Sequence, residues 1–205
     1  MVDFIILSMI LATTPGVSAQ PIRRATPDDA AAMAPLFIAA MESFACAFVG
    51  SDDPLDALPV FQRFASLPDN QYSYANTLVY HDDQGIAGIV AGYDGARLES
   101  LREPFFAYLA KEYGFEPSSF GNETAAGEFY IDTVSVASHR RGAGIGKALI
   151  LAACAVAQQG GHTRAGLLVD AENPVAKRLY ASLGFEVMGR KWFAGGEYEH
   201  RVRGV

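Results

Sequence analysis

"IDTVSVASHRRGAGIGKALI", Ile131 to Ile150, decides the fold. It opens as a run of alternating and then β-branched residues, as a buried central strand does. From Gly144 it reads as the start of a helix. Between the two lie His139, Arg140, Arg141, Gly142, Ala143, Gly144, Ile145, Gly146 and Lys147. Glycines let a backbone pass close to a neighbour, and a helix N-terminus flanked by arginines favours an anion.

Three phosphate-binding patterns compete for this loop. A P-loop needs a glycine five residues before Gly146-Lys147 and Ser or Thr after the lysine, where the chain has Arg141 and Ala148. A dinucleotide fingerprint beginning at Gly142 puts Lys147 where its third glycine belongs, although Asp170 ends the next strand where a ribose-binding acid would sit. The pattern R-x-x-G-x-G is met by Arg141, Gly144 and Gly146. Amides of such a turn can surround a pyrophosphate, with Arg140 and Arg141 at its rim. The same residues also serve as a plain strand-to-helix turn.

The surrounding elements alternate in type. "PIRRA" reads as a short strand. A helix follows, capped by Thr26 with Pro27 at its first position, and a second with Ser51 or Asp52 as its cap. A hairpin joins around Asp83-Gln84-Gly85. "ARLESLREPFFAYLAKEYGF" reads helical with a proline break. After the central strand and the glycine-started helix come a buried strand, "RAGLLVDAE", and a helix from Pro174 stopped by Gly184. A closing hairpin turns at Gly195-Gly196. Helices between strands imply an α/β or α+β fold with a partly parallel sheet.

Half of the 205 residues are hydrophobic, enough for a sizeable core in one domain, expected over residues 21–205. A formal charge of −7 argues against a general nucleic-acid or membrane-surface binder. Cys46 and Cys154 lack metal-ligand spacing and read as reduced core thiols, which fits a cytoplasmic enzyme. Residues 1–20 form an apolar extension, "FIILSMILA" then "TTP". It is expected to cover apolar surface, for instance at a homodimer contact. "VSA" before Gln20 keeps an export signal as the minority reading, though the segment carries Asp3 and no Lys or Arg.

The order "IDTVSVASHRRGAGIGKALI", then "GLLVDAENPVAKRLYASLGF", resembles the GCN5-related N-acetyltransferase (GNAT) superfamily. The resemblance runs from Ile22 to Arg203 and is strongest over Glu128 to Phe185, where the loop and an N-P-x-A-x-x-L-Y-x-x-x-G-F signature occur together. It implies a mixed, mostly antiparallel central sheet with one splayed parallel strand pair and helices on both faces. It further implies acetyl-CoA as co-substrate and no metal. Val134, Ser135 and Val136 would pair with the pantetheine arm, Arg140 to Lys147 would hold the pyrophosphate, and Asn173 would contact the cofactor or simply cap its helix.

Tyr180 matches the tyrosine that protonates the departing thiolate; on position alone it is a core tyrosine of an amphipathic helix. A carboxylate must free the acceptor amine of its proton. Glu128, Tyr130 and Asp132 share one face of a strand by period two. Asp132 is the first candidate base and Glu128 the second, with the alternative that Asp132 only binds a substrate cation. Glu197, Glu199 and His200 are further candidates. Phe105, Phe106, Tyr108 and Tyr113 form a stripe that is either core or a lid. The implied activity is N-acetyl transfer by direct attack, with a small-molecule amine as acceptor. A peptide acceptor and a non-catalytic acyl-CoA sensor on the same fold are the alternatives.

Overall fold

The computed structural model describes residues 21–41, 43–117 and 120–205. The apolar extension expected over residues 1–20 lies outside the described residues. A seven-stranded sheet runs in the order β1-β2-β3-β4-β5-β7-β6. The strands are β1 Ile22–Arg24, β2 Thr77–Asp82, β3 Gly85–Asp94, β4 Phe129–Val136, β5 Arg164–Asp170, β6 Glu186–Phe193 and β7 Gly196–Gly204. All neighbours are antiparallel except β4 and β5.

Among the described residues six α-helices flank the sheet: α1 Ala30–Met41, α2 Ser43–Val49, α3 Leu58–Ala65, α4 Leu98–Tyr113, α5 Ile145–Gln159 and α6 Pro174–Ser182. Side chains alternate across a strand, so β2 and β3 feed two cores. Val79, Ile89 and Ala91 join α1, α3 and Phe105 of α4 on one face. Leu78, Ala87 and Val90 join α5 on the other. No single helix among the described residues is long and apolar enough to cross a membrane.

Several local expectations are refined. Thr26 does cap its helix, in a reciprocal capping box with Asp29, but the expected single helix is two, α1 and α2. The second cap is Asp53, whose Oδ1 accepts from Leu55 N at 2.9 Å, rather than Ser51 or Asp52. Pro104 does not break α4, because the helix buries Leu101, Phe105 and Leu109 on either side of it and packing outweighs one lost hydrogen bond. The last hairpin turns at Ala194-Gly195, both at positive φ (45° and 84°), as a two-residue loop matched to strand twist requires.

The feature that makes room for chemistry is the parallel pair. β4 and β5 are in register only at Phe129↔Ala165 and Tyr130↔Gly166, then diverge. From Ile131 onward β4 is paired on the β3 side alone, so its edge toward β5 is open. The β3–β4 register also skips a residue: Ala91 faces Thr133 and Gly92 faces Ile131. Asp132 is thus the extra residue of a β-bulge, a device that re-aims a side chain.

Candidate active site

The gap between β4 and β5 opens into a cavity of about 410 Å³. Thr133 and Val134 of β4, and Leu168 and Val169 of β5, line it. Consecutive strand residues point to opposite faces, so the cavity reaches through the splayed pair rather than resting on one face. Asp132 lines it from the bulge and Tyr180 from α6.

The Tyr180 phenol is half-buried and packs against Phe185, with ring centroids 6.0 Å apart. Burial pushes it up to about 12, so it holds its proton at any physiological pH. Asp132 accepts from the Tyr93 hydroxyl at 2.5 Å and from Thr133 Oγ1 at 3.2 Å. Burial raises its carboxyl above the usual range; those two hydrogen bonds and the Arg102 charge oppose the rise. A raised carboxylate is a better proton acceptor, and the bulge delivers it to the cavity.

The far end of the β4 edge leads to the glycine loop. Gly144 is the N-cap of α5 and adopts φ +79°, so no side chain caps the helix. The first-turn amides of Ile145, Gly146 and Lys147 therefore have no intrahelical acceptor. Gly142 is also left-handed, at φ +83°. Unclaimed amides at the positive end of a 15-residue helix suit a diphosphate. Arg141 donates from Nε to Val136 O at 3.2 Å, which ties it to the end of the open strand. Arg140 is turned away: it pairs with Asp82 and donates to Gln84 Oε1 at 3.1 Å, on the β2–β3 hairpin. Asn173 caps α6, its Oδ1 accepting from Ala176 N at 3.0 Å, and also lines the cavity.

The remaining sequence candidates do other things. Glu128 is buried outside the cavity lining, accepting from Thr124 Oγ1 at 2.6 Å and lying 3.0 Å from His200 Nε2. Its carboxylate crosses directly over Gly166, where a Cβ would collide with it. Glu199 pairs with Lys177 and Arg201, and Glu197 with Arg190. Of the aromatic stripe of α4, Phe105 is core, fully buried among Phe48, Phe61 and Tyr72, while Phe106 and Tyr108 are half-buried against it and Tyr113 is exposed.

Several cavity residues escaped the sequence reading. Glu123, in the loop before β4, is 6% exposed and lines the cavity. Burial, reinforced by the charge of Asp132, pushes its carboxyl up to about 8, while Arg102 and a hydrogen bond from Tyr130 oppose the rise. Arg102 stands 3.4 Å behind it and donates to Gly121 O at 3.0 Å. Gln71, Tyr72 and Tyr198 complete this end. Tyr198 was findable by alternation, since it lies between the two glutamates singled out on β7; Glu123 and Gln71 sit in loops with no periodicity to mark them.

The splayed parallel pair, the uncapped glycine-started helix and the cavity lined by both Asp132 and Tyr180 together define the candidate site. Residues 37–185 match the Acetyltransferase (GNAT) family, and the chain belongs to that family. A crystal structure of an acetyltransferase superposes with a TM-score of 0.76 at 31% identity, covering 90% of this chain and 98% of that one. The yncA acetyltransferase from Salmonella typhimurium, solved with its cofactor acetyl-CoA, shares the fold at a TM-score of 0.51 and 16% identity, covering 91% and 94%. The mycothiol acetyltransferase of Renibacterium salmoninarum is 41% identical over 76 residues, 37% of this chain. That match spans only 21% of the relative's length.

Proposed function

We propose that the protein transfers an acetyl group from acetyl-CoA to the primary amine of a small molecule, by direct attack within a ternary complex. The observation that carries this reading is that Asp132 and Tyr180 line one cavity at the place where β4 leaves an unpaired edge running toward the amides of α5. Family membership and the acetyl-CoA held by a relative of the same fold support it. The co-substrate supplies an activated thioester carbonyl and a thiol leaving group.

The open edge at Val134 to Val136 offers backbone donors and acceptors to an amide-bearing arm, as an added strand would use them. Amides of Gly142 to Lys147 bind the diphosphate, with Arg141 beside them. Asp132 takes the ammonium proton, which makes the amine nucleophilic, and passes it to solvent. As the C–N bond forms and the C–S bond breaks, Tyr180 gives its phenolic proton to sulfur and regains one from the new amide nitrogen. Glu128, locked under His200, holds β7 against the loop before β4 and takes no proton from substrate.

Thiol release from acetyl-CoA across a panel of amines, amino acids, polyamines, aminoglycosides and peptides tests the reading. Turnover with small amines and none with peptides is the expected result. Absence of thiol release with every acceptor would overturn it.

A further inference from the structure

The cavity is strongly biased in its chemistry. Three acidic side chains line it, Glu123, Asp132 and Asp170, and among the described residues no Lys, Arg or His side chain does. Eight of the lining residues are aromatic, with Phe44, Phe120 and Phe193 packed edge to face on one another. A cavity with acidic walls and an aromatic flank selects an organic cation with an apolar skeleton.

A second observation concerns Gln71. Its side chain is buried, 3% exposed, and Oε1 has no hydrogen-bond partner among the described residues. A buried amide carbonyl left unpaired costs more than a single hydrogen bond typically contributes, so native structures rarely leave one without a role. Nor is Gln71 free to drift. Its backbone N donates to Leu101 O at 2.9 Å. The preceding Asn70, 1% exposed, clamps the loop by donating to Phe64 O at 2.9 Å and accepting from Tyr72 N at 3.0 Å. The loop that carries Gln71 is therefore held in place, and the carbonyl is an unclaimed acceptor in the lining of the cavity, which Tyr72 and Glu123 also line.

Asp132 suffices for one ammonium. Glu123 and Gln71 are two further acceptors that the transfer step leaves unused. We propose that Gln71 and Glu123 form a second recognition point for N–H donors, and that the acceptor is a diamine with an apolar or aromatic spacer. One nitrogen is acetylated beside Asp132 and Tyr180; the other, as an ammonium, donates to the Gln71 carbonyl and to Glu123, whose carboxyl gives up its own proton to solvent as the cation binds. This inference rests on the acetyl-transfer reading above and adds the acceptor's second nitrogen to it.

Matched pairs of amines test it on the full chain with acetyl-CoA, again by thiol release. α,ω-Diaminoalkanes are compared with n-alkylamines of equal carbon count, and p-xylylenediamine with 4-methylbenzylamine. The expected kcat/KM ratio of diamine to monoamine is at least tenfold, carried mainly by KM. Gln71→Leu and Glu123→Gln each pull that ratio toward one, whatever they do to the overall rate, while Gln71→Glu, which keeps an acceptor, preserves it. The wild-type ratio is readable even where a variant does not fold. Equal kcat/KM within the pairs overturns the inference and leaves acetyl transfer standing. A diamine preference that survives both variants overturns the assignment to Gln71 and Glu123. Thiol release with no amine of any kind overturns the parent reading, and this inference with it.

Discussion

Gly166→Ala is the sharpest structural test of the site's framework. Gly166 sits on β5 opposite Tyr130 of β4 and Val202 of β7. Nothing in its own conformation demands glycine, because its φ is outside the left-handed region. The demand comes from Glu128: a Cβ on Gly166 would run into Oε2 and lie 2.6 Å from Cδ and 2.9 Å from Oε1. The carboxylate cannot yield without leaving the Thr124 hydroxyl at 2.6 Å and His200 Nε2 at 3.0 Å. Leaving a buried carboxylate uncompensated costs about 3–5 kcal/mol. For a domain of this size that corresponds to a fall in Tm of roughly 6–20 °C. Urea unfolding followed by circular dichroism measures the difference. In a Glu128→Ala background the same alanine has nothing to displace, and its cost drops below about 1 kcal/mol. An equal cost in both backgrounds would refute the steric account and with it the role of Glu128 as a strut.

Three other outcomes follow from the same geometry. Tyr180→Phe lowers kcat by about 10²- to 10⁴-fold, the usual worth of a positioned general acid; the wild-type rate climbs with pH through the raised Asp132 carboxyl and then stays level to about pH 10, since Tyr180 keeps its proton to about 12, and Asp132→Asn removes the climb. Glu123 carries a proton in the folded state up to about 8 against an ordinary value of 4.5, so the native chain binds more protons than the unfolded one between those values. Stability therefore falls as pH rises through that window, and thermal unfolding of Glu123→Gln at pH values across it shows a flatter dependence. Gly144→Val places a side chain at φ +79°, where an L-residue costs about 1–2 kcal/mol. It also weakens coenzyme A binding by calorimetry at least tenfold, about 1.4 kcal/mol or more; near-normal affinity would move the diphosphate elsewhere.

The glycine stretch and the Asn173 to Phe185 signature were legible because both are local. A helix that starts on Gly144, a cap at Asn173 and a stop at Gly184 depend on backbone dihedrals within a few residues, and residue type reports those directly. Tyr180 came with the signature and Asp132 with its place just before the Val134 to Val136 stretch, and the structure brings them to one cavity. Period two also grouped Glu128 with Asp132, yet only one of them reaches the cavity. Alternation assumes a regular strand, and the bulge at Asp132 interrupts it. Arg140 likewise looked equal to Arg141 until the β2–β3 hairpin placed Asp82 beside it.

Sequence alone thus determined the fold class, the strand-loop-helix unit and the choice of Asp132 and Tyr180 as the two residues proposed for the transfer, because each is encoded within a short span of chain. Tertiary structure alone decided which acids face the cavity. Glu128 is drawn under His200 across the open face of Gly166, Glu123 is buried against Asp132 and Arg102, and the Gln71 carbonyl is stranded by a clamp at Asn70. The protonation and reach of those groups depend on neighbours tens of residues away, and local spacing carries no record of them.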